Sequence, residues 1–197
     1  MPRSNEAKVL APEEIVEFTR VFDAPRALVF KLWSAPEHRA RWWGPDGFAL
    51  KENELEFREG GAWRVVMLHV SGYEHVVSGV FREIEEPSRL SFTYINSTER
   101  YETLVTMDFV ELGDKTEMHF RQAPFATIEA RDAHAWGWKS SFDLMAAYAP
   151  QVSPVDAAPV GPPRIEGTAP DIVAARKRHE HELTHGFEGK WNPGDPR

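Results

Sequence analysis

Two groups of side chains in this sequence have the types and spacing to do chemistry. The first is His181-Glu182-Leu183-Thr184-His185, a formal H-E-x-x-H match with His179 just upstream. On a helix the two outer imidazoles fall one turn apart, where they could hold zinc with Glu182 as general base. A hydrolase also needs a third ligand and a cleft. No further histidine follows His185, and Glu188 lies too close along the chain for the usual third position. A charged helix rich in His and Glu produces the same five letters on a solvated face. His181 and His185 are therefore candidates for adventitious metal binding, and no cofactor is expected. The second group is acid–base in kind. His69, His75, His119 and His134 carry the side-chain type that can change charge near neutral pH, and Tyr73, Tyr94 and Tyr101 offer hydroxyls that could orient a ligand. His134 and Tyr94 are the candidates for catalysis, but a lone inward histidine is more often a satisfied core residue. Spacing alone assembles no set of nucleophile, base and orienting group.

A larger set of residues has the character of an apolar pocket. Trp42 and Trp43 are adjacent indoles before Gly44-Pro45, able either to cover a cavity mouth or to plug a gap in the core. Trp63, Val65 and Met67 alternate along one strand face, as do Leu90, Phe92 and Tyr94. With Met107, His134, Trp138 and Phe142 they are the candidate cavity walls; the competing reading is a filled core. His38 and Arg41, one helical turn apart, could meet a polar ligand group or simply solvent. Glu102 and Arg121 could pair. His119, between Met118 and Phe120, is expected on the outer face of its strand.

The element that must position these side chains is a helix from Ala130 to Ala149. His134, Trp138, Phe142, Met145 and Ala149 recur at three- and four-residue steps, giving one buried stripe. Thr127 is placed to cap it and Pro150 to close it. Upstream, Ile15–Phe22 reads as a strand. A helix capped by Asp23 then runs to about Trp33, and a second short one runs from Ser34 to Trp42. Six strand patterns follow, over Phe48–Phe57, Ala62–Val70, Glu74–Ile84, Leu90–Ile95, Thr103–Leu112 and Thr116–Gln122. Turns are expected at Glu59-Gly60-Gly61, Glu86-Pro87-Ser88 and Gly113-Asp114. Such short connections favour antiparallel pairing, and a sheet with one apolar face must bury it against the long helix.

Composition narrows the function. The net charge of −8 and the lack of any basic run argue against nucleic acid, and the absence of cysteine removes thiolate and Cys-based metal chemistry. No apolar run is long enough to span a bilayer, so no membrane insertion is expected and the expected compartment is the cytoplasm. Residues 1–13 read as a tail and 14–150 as one domain. Residues 151–197 read as a proline-rich linker followed by a charged helix over Asp171–His185 and a final tail.

FTRVFDAPRALVFKLWSAPEHRARWWGP, GGAWR, PSRLSFTY and ARDAHAWGWKSSFDLMAAYA occur in that order. Together they resemble the heat-shock-protein ATPase activator homologue-like branch of the START superfamily, also called SRPBCC, polyketide cyclase-like or helix-grip. The likeness covers Ile15 to Tyr148. It implies an α+β helix-grip fold: a curved seven-stranded antiparallel sheet wrapped round a long C-terminal helix, two short helices after the first strand, and a hydrophobic cavity inside. It also implies binding of a small apolar or aromatic molecule, since members take lipids, sterols, polyketides and hormones. Some members catalyse cyclisation or dehydration, so a cyclase or dehydratase is the alternative. Co-chaperone activity belongs to relatives with an added client-binding domain. An interaction module, including a homodimer, is a further reading.

Overall fold

The structure, a computed structural model, describes residues 9–152 except position 100. A 3-10 turn at Pro12–Glu14 leads into β1 (Val16–Phe22), followed by α1 (Arg26–Ser34) and α2 (Pro36–Arg39). Then come β2 (Phe48–Leu55), β3 (Ala62–His69), β4 (Glu74–Glu85), β5 (Arg89–Asn96), β6 (Glu102–Leu112) and β7 (Lys115–Ala123). The last described elements are α3 (Ile128–Tyr148) and a 3-10 turn at Ala149–Gln151. The strands form one curled sheet in the order β1-β7-β6-β5-β4-β3-β2, with every neighbour antiparallel. Register shifts at Leu50/Glu52 and Phe81/Glu83 add residues to one side of a ladder and bend the strands.

The helix stripe explains why α3 lies in the curl. His134, Trp138, Phe142, Met145 and Ala149 are all buried, whereas Asp143 is exposed. Thr127 caps the first turn by accepting a hydrogen bond from the Ala130 N–H at 3.1 Å. The inward residues of the sheet meet the helix directly. Phe120 lies 4.8 Å from Trp138 and 5.2 Å from Phe142 between ring centroids. The three hairpin turns fall where the sequence puts them, and Gly113 takes the positive φ of +66° that the β6–β7 turn requires.

Several local expectations are corrected. Asp23 does not cap α1; Pro25 occupies that position, and the Asp23 carboxylate faces Lys115 at 3.4 Å instead. The second helix ends at Arg39 rather than Trp42. His38 is fully buried, not a solvent-facing residue, and its Nδ1 sits 2.8 Å from the Tyr148 hydroxyl. Glu102 pairs with Arg82 of β4, two strands away, and Arg121 with Glu17, its cross-strand neighbour on β1, rather than with each other. His119 does point outward, beside Glu117. Residues 1–8, the expected helix over Asp171–His185 and the His181/His185 pair lie outside the described residues. Among the described residues, no helix is long and apolar enough to cross a membrane.

Candidate functional site

A pocket of about 200 Å³ lies between the first half of α3 and the far side of the sheet. Its apolar wall is Trp43, Phe48, Met67 and Trp138, with Trp136 beside them 44% exposed. Its polar end is His75, Tyr94, Asn96, Glu99 and His134. The helix makes this room by sequence. Ala133, Gly137 and Ser141 repeat every four residues, and these small side chains leave room between His134, Trp136 and Trp138, which also line the pocket. Gly137 stands mid-helix with nothing within 4 Å of where a Cβ would be. A glycine there costs the helix about 0.5–1 kcal/mol relative to alanine, and no neighbour forces that choice. What it leaves is space.

The polar end is a connected network. Gln122, buried in β7, donates through Nε2 to Thr103 Oγ1 at 2.8 Å and accepts at Oε1 from Trp138 Nε1 at 2.7 Å. An indole nitrogen can only donate, so the amide orientation is settled. The same oxygen is 3.2 Å from His134 Nδ1, and His134 Nε2 is 3.1 Å from Glu99 Oε1. Both imidazole nitrogens face acceptors, so both contacts are hydrogen bonds only when the ring carries two protons. Asn96 Nδ2 donates to the same Glu99 oxygen at 3.1 Å. Burial alone would raise the Glu99 carboxyl. The hydrogen bond and charge of His134, with the bond from Asn96, outweigh it and hold Glu99 below its ordinary value. Burial, then the neighbouring Glu99 carboxylate, pushes the Tyr101 phenol up to about 12 and Tyr94 further still. His75 is lowered by burial and by His134.

These contacts bear on the catalytic candidates. His134 has both nitrogens engaged by Gln122 and Glu99, and burial keeps the Tyr94 phenol protonated. Tyr73 is 46% exposed and does not line the pocket. Of the expected walls, Trp43, Met67, Tyr94, His134 and Trp138 line it. Trp42, Trp63, Val65, Phe92, Met107 and Phe142 do not; they are packed into the hydrophobic core. Trp42 is pinned there by its Nε1 donating to the Leu32 carbonyl at 3.0 Å, which makes it a plug between helix and sheet. Sequence reasoning did not single out Phe48, Asn96, Glu99, Trp136, Gly137 or Ser141. Only the four-residue spacing of the small helical residues carried a signal for any of them.

One more charged side chain stands next to the pocket. Arg39, from α2, is 2% exposed, and its guanidinium carbon lies 4.3 Å from the Trp43 ring centroid and 5.6 Å from that of Trp63. Burial lowers it to about 9, which leaves it a cation at neutral pH. Among the described residues, no group of three His, Asp or Glu side chains is placed to hold a metal ion.

Comparison with known proteins agrees with this architecture. No curated protein matches the chain. Among solved structures, a protein from Chromobacterium violaceum is 25% identical with a TM-score of 0.64, over 69% of this chain and 96% of that one. The AHSA1 protein from Silicibacter pomeroyi is 24% identical with a TM-score of 0.63, over 70% and 98%. A Rhodobacter sphaeroides protein is also 24% identical with a TM-score of 0.63, over 72% and 95%. The family described as "Activator of Hsp90 ATPase homolog 1-like protein" matches residues 23–149, from the end of β1 through α3. That match covers more than half of the sequence and takes in every element that builds the pocket, so the chain belongs to this family, a branch of the START/SRPBCC fold.

Proposed function

We propose that this protein binds one small apolar or aromatic molecule in the pocket between α3 and the β3–β5 side of the sheet. The observation that supports this reading is the combination of an aromatic-walled space with Gly137, a helix residue whose cost is explained by room for a guest. Size sets the class. An apolar cavity of about 150 Å³ accepts benzene, whereas drug-sized ligands occupy about 300–1,000 Å³. At about 200 Å³ the pocket suits a one-ring or small two-ring compound and is too small for a sterol or a long lipid. Trp43 and Trp138 would supply flat contact area. Asn96, His75 and the Glu99–His134 pair would orient a polar substituent.

The test is a thermal-shift and calorimetric screen of one- and two-ring compounds against the wild type and Gly137→Leu. A ligand at one hundred times its Kd should stabilise the wild type by about 2.7 kcal/mol. The leucine side chain would fill the pocket, so binding should disappear while the variant stays folded. Equal binding by both proteins, or none by the wild type, refutes the reading.

A further inference from the structure

The interior of the domain holds a cation, Arg39, with no counter-ion among the described residues. Arg39 Nε and Nη1 are buried with no hydrogen-bond partner among the described residues. Burying an unpaired charge is costly, and the Trp43 and Trp63 faces offset only part of that cost through cation–π attraction. On the indole side, water does not supply the missing partner. The space beside Arg39, bordered by Trp33, Trp43, Trp63 and Phe92, has no volume large enough for a water molecule.

Trp43 borders both that space and the ligand pocket. It precedes β2 on a loop that no strand ladder fixes. The next residue, Gly44, has φ +113°, a conformation that side-chain-bearing residues rarely adopt. The loop is tied to α3 through an exposed hydrogen bond from the Asp46 N–H to Ser140 Oγ, 2.8 Å long. Turning this indole aside breaks its ring contacts with Trp33, Trp42, Trp63 and Trp138 but no strand hydrogen bond.

We propose that the pocket selects aromatic carboxylic acids, the carboxylate pairing with Arg39 once the Trp43 ring turns aside. A carboxylate accepts charge-assisted hydrogen bonds from a guanidinium, and these are stronger in a site that excludes water. The ionised Glu99 at the polar end disfavours the reverse orientation, so the ligand's anionic end faces Arg39. This proposal rests on the pocket reading above and adds the sign of the ligand's charge.

The test compares benzoate and 2-naphthoate with the neutral benzamide and 2-naphthamide by calorimetry at neutral pH. The wild type should prefer each acid over its amide by more than tenfold, and Arg39→Met should abolish that preference, whereas Arg41→Met should keep it. Arg39→Met should also melt at a higher temperature without ligand, because it removes an unpaired buried charge. In labelled wild-type protein at saturation, benzoate should move the Trp43 indole N–H resonance further than benzamide does, because only the acid turns the ring away from Arg39; equal shifts count against the inference. If Arg39→Met does not fold, the wild-type acid-to-amide ratio and the Trp43 resonance decide. Amides that bind as well as the acids overturn the inference and leave the pocket reading intact. No binding by any of the four overturns both.

Discussion

Gln122 carries no charge, yet three side chains depend on its orientation. Replacing it with leucine leaves the Trp138 indole N–H and the His134 Nδ1–H without an acceptor in a buried site. We expect a loss of about 1–3 kcal/mol for each orphaned donor, read as a lower urea midpoint. Gly137→Ala should do the opposite. A methyl group there meets nothing, so the helix should gain about 0.5–1 kcal/mol, read in the same denaturation experiment. Neither residue announces its role in the sequence. Gln122 sits in an ordinary strand, and its partners come from α3 and from β6, far along the chain. Arg39 was harder still. In Pro36-Glu37-His38-Arg39-Ala40-Arg41 it reads as one more solvated charge, and only the docking of a one-turn helix rotates it inward while Arg41 stays half-buried.

At the scale of the element, α3 was the most legible feature, because period, cap and stop agree. Its stripe, its Thr127 cap and its end near Pro150 can be read without coordinates, since each depends only on residues within a few positions. Thr127→Ala should therefore cost about 0.5–2 kcal/mol, the usual worth of an N-cap side chain. A variant with unchanged stability would show that the Thr127 hydroxyl adds nothing to the helix. The short helices were less legible. Asp23-Ala24-Pro25 carries a cap signal two residues too early, and Pro25, with φ −61°, takes the N-cap position itself. The end of α2 followed no local stop signal; Trp42 and Trp43 are held by core contacts, and those contacts end the helix.

At the scale of the molecule, hairpin order followed from short connections, but the pairing of β1 with β7 did not. No local pattern joins Val16 to Gln122; the resemblance implied one seven-stranded sheet without saying which strands meet, and only the structure pairs these two. The whole domain should also respond to acid in a defined sense. Burial lowers His38, and burial together with His134 lowers His75. Both stay neutral in the folded chain while the unfolded chain takes up protons near the ordinary histidine value of about 6.5. Unfolding thus binds protons, and stability falls as the pH drops below that value. Glu99 acts in the same direction at lower pH. Its folded value is depressed, so its contribution is present above the ordinary glutamate value of about 4.3 and is lost as the pH falls through the lower folded one. Melts from about pH 7.5 to pH 4 should show a continuous decline, and His38→Gln should flatten its upper part. A melting temperature that rises on acidification would contradict this.

The indoles described above have an optical consequence. Trp33, Trp42, Trp43, Trp63 and Trp138 are linked through ring separations of 4.6–6.0 Å. At such spacings their excited states mix and energy migrates from ring to ring. A guest touching Trp43 or Trp138 would dim or shift the light of the whole assembly, so occupancy could be followed without any added dye.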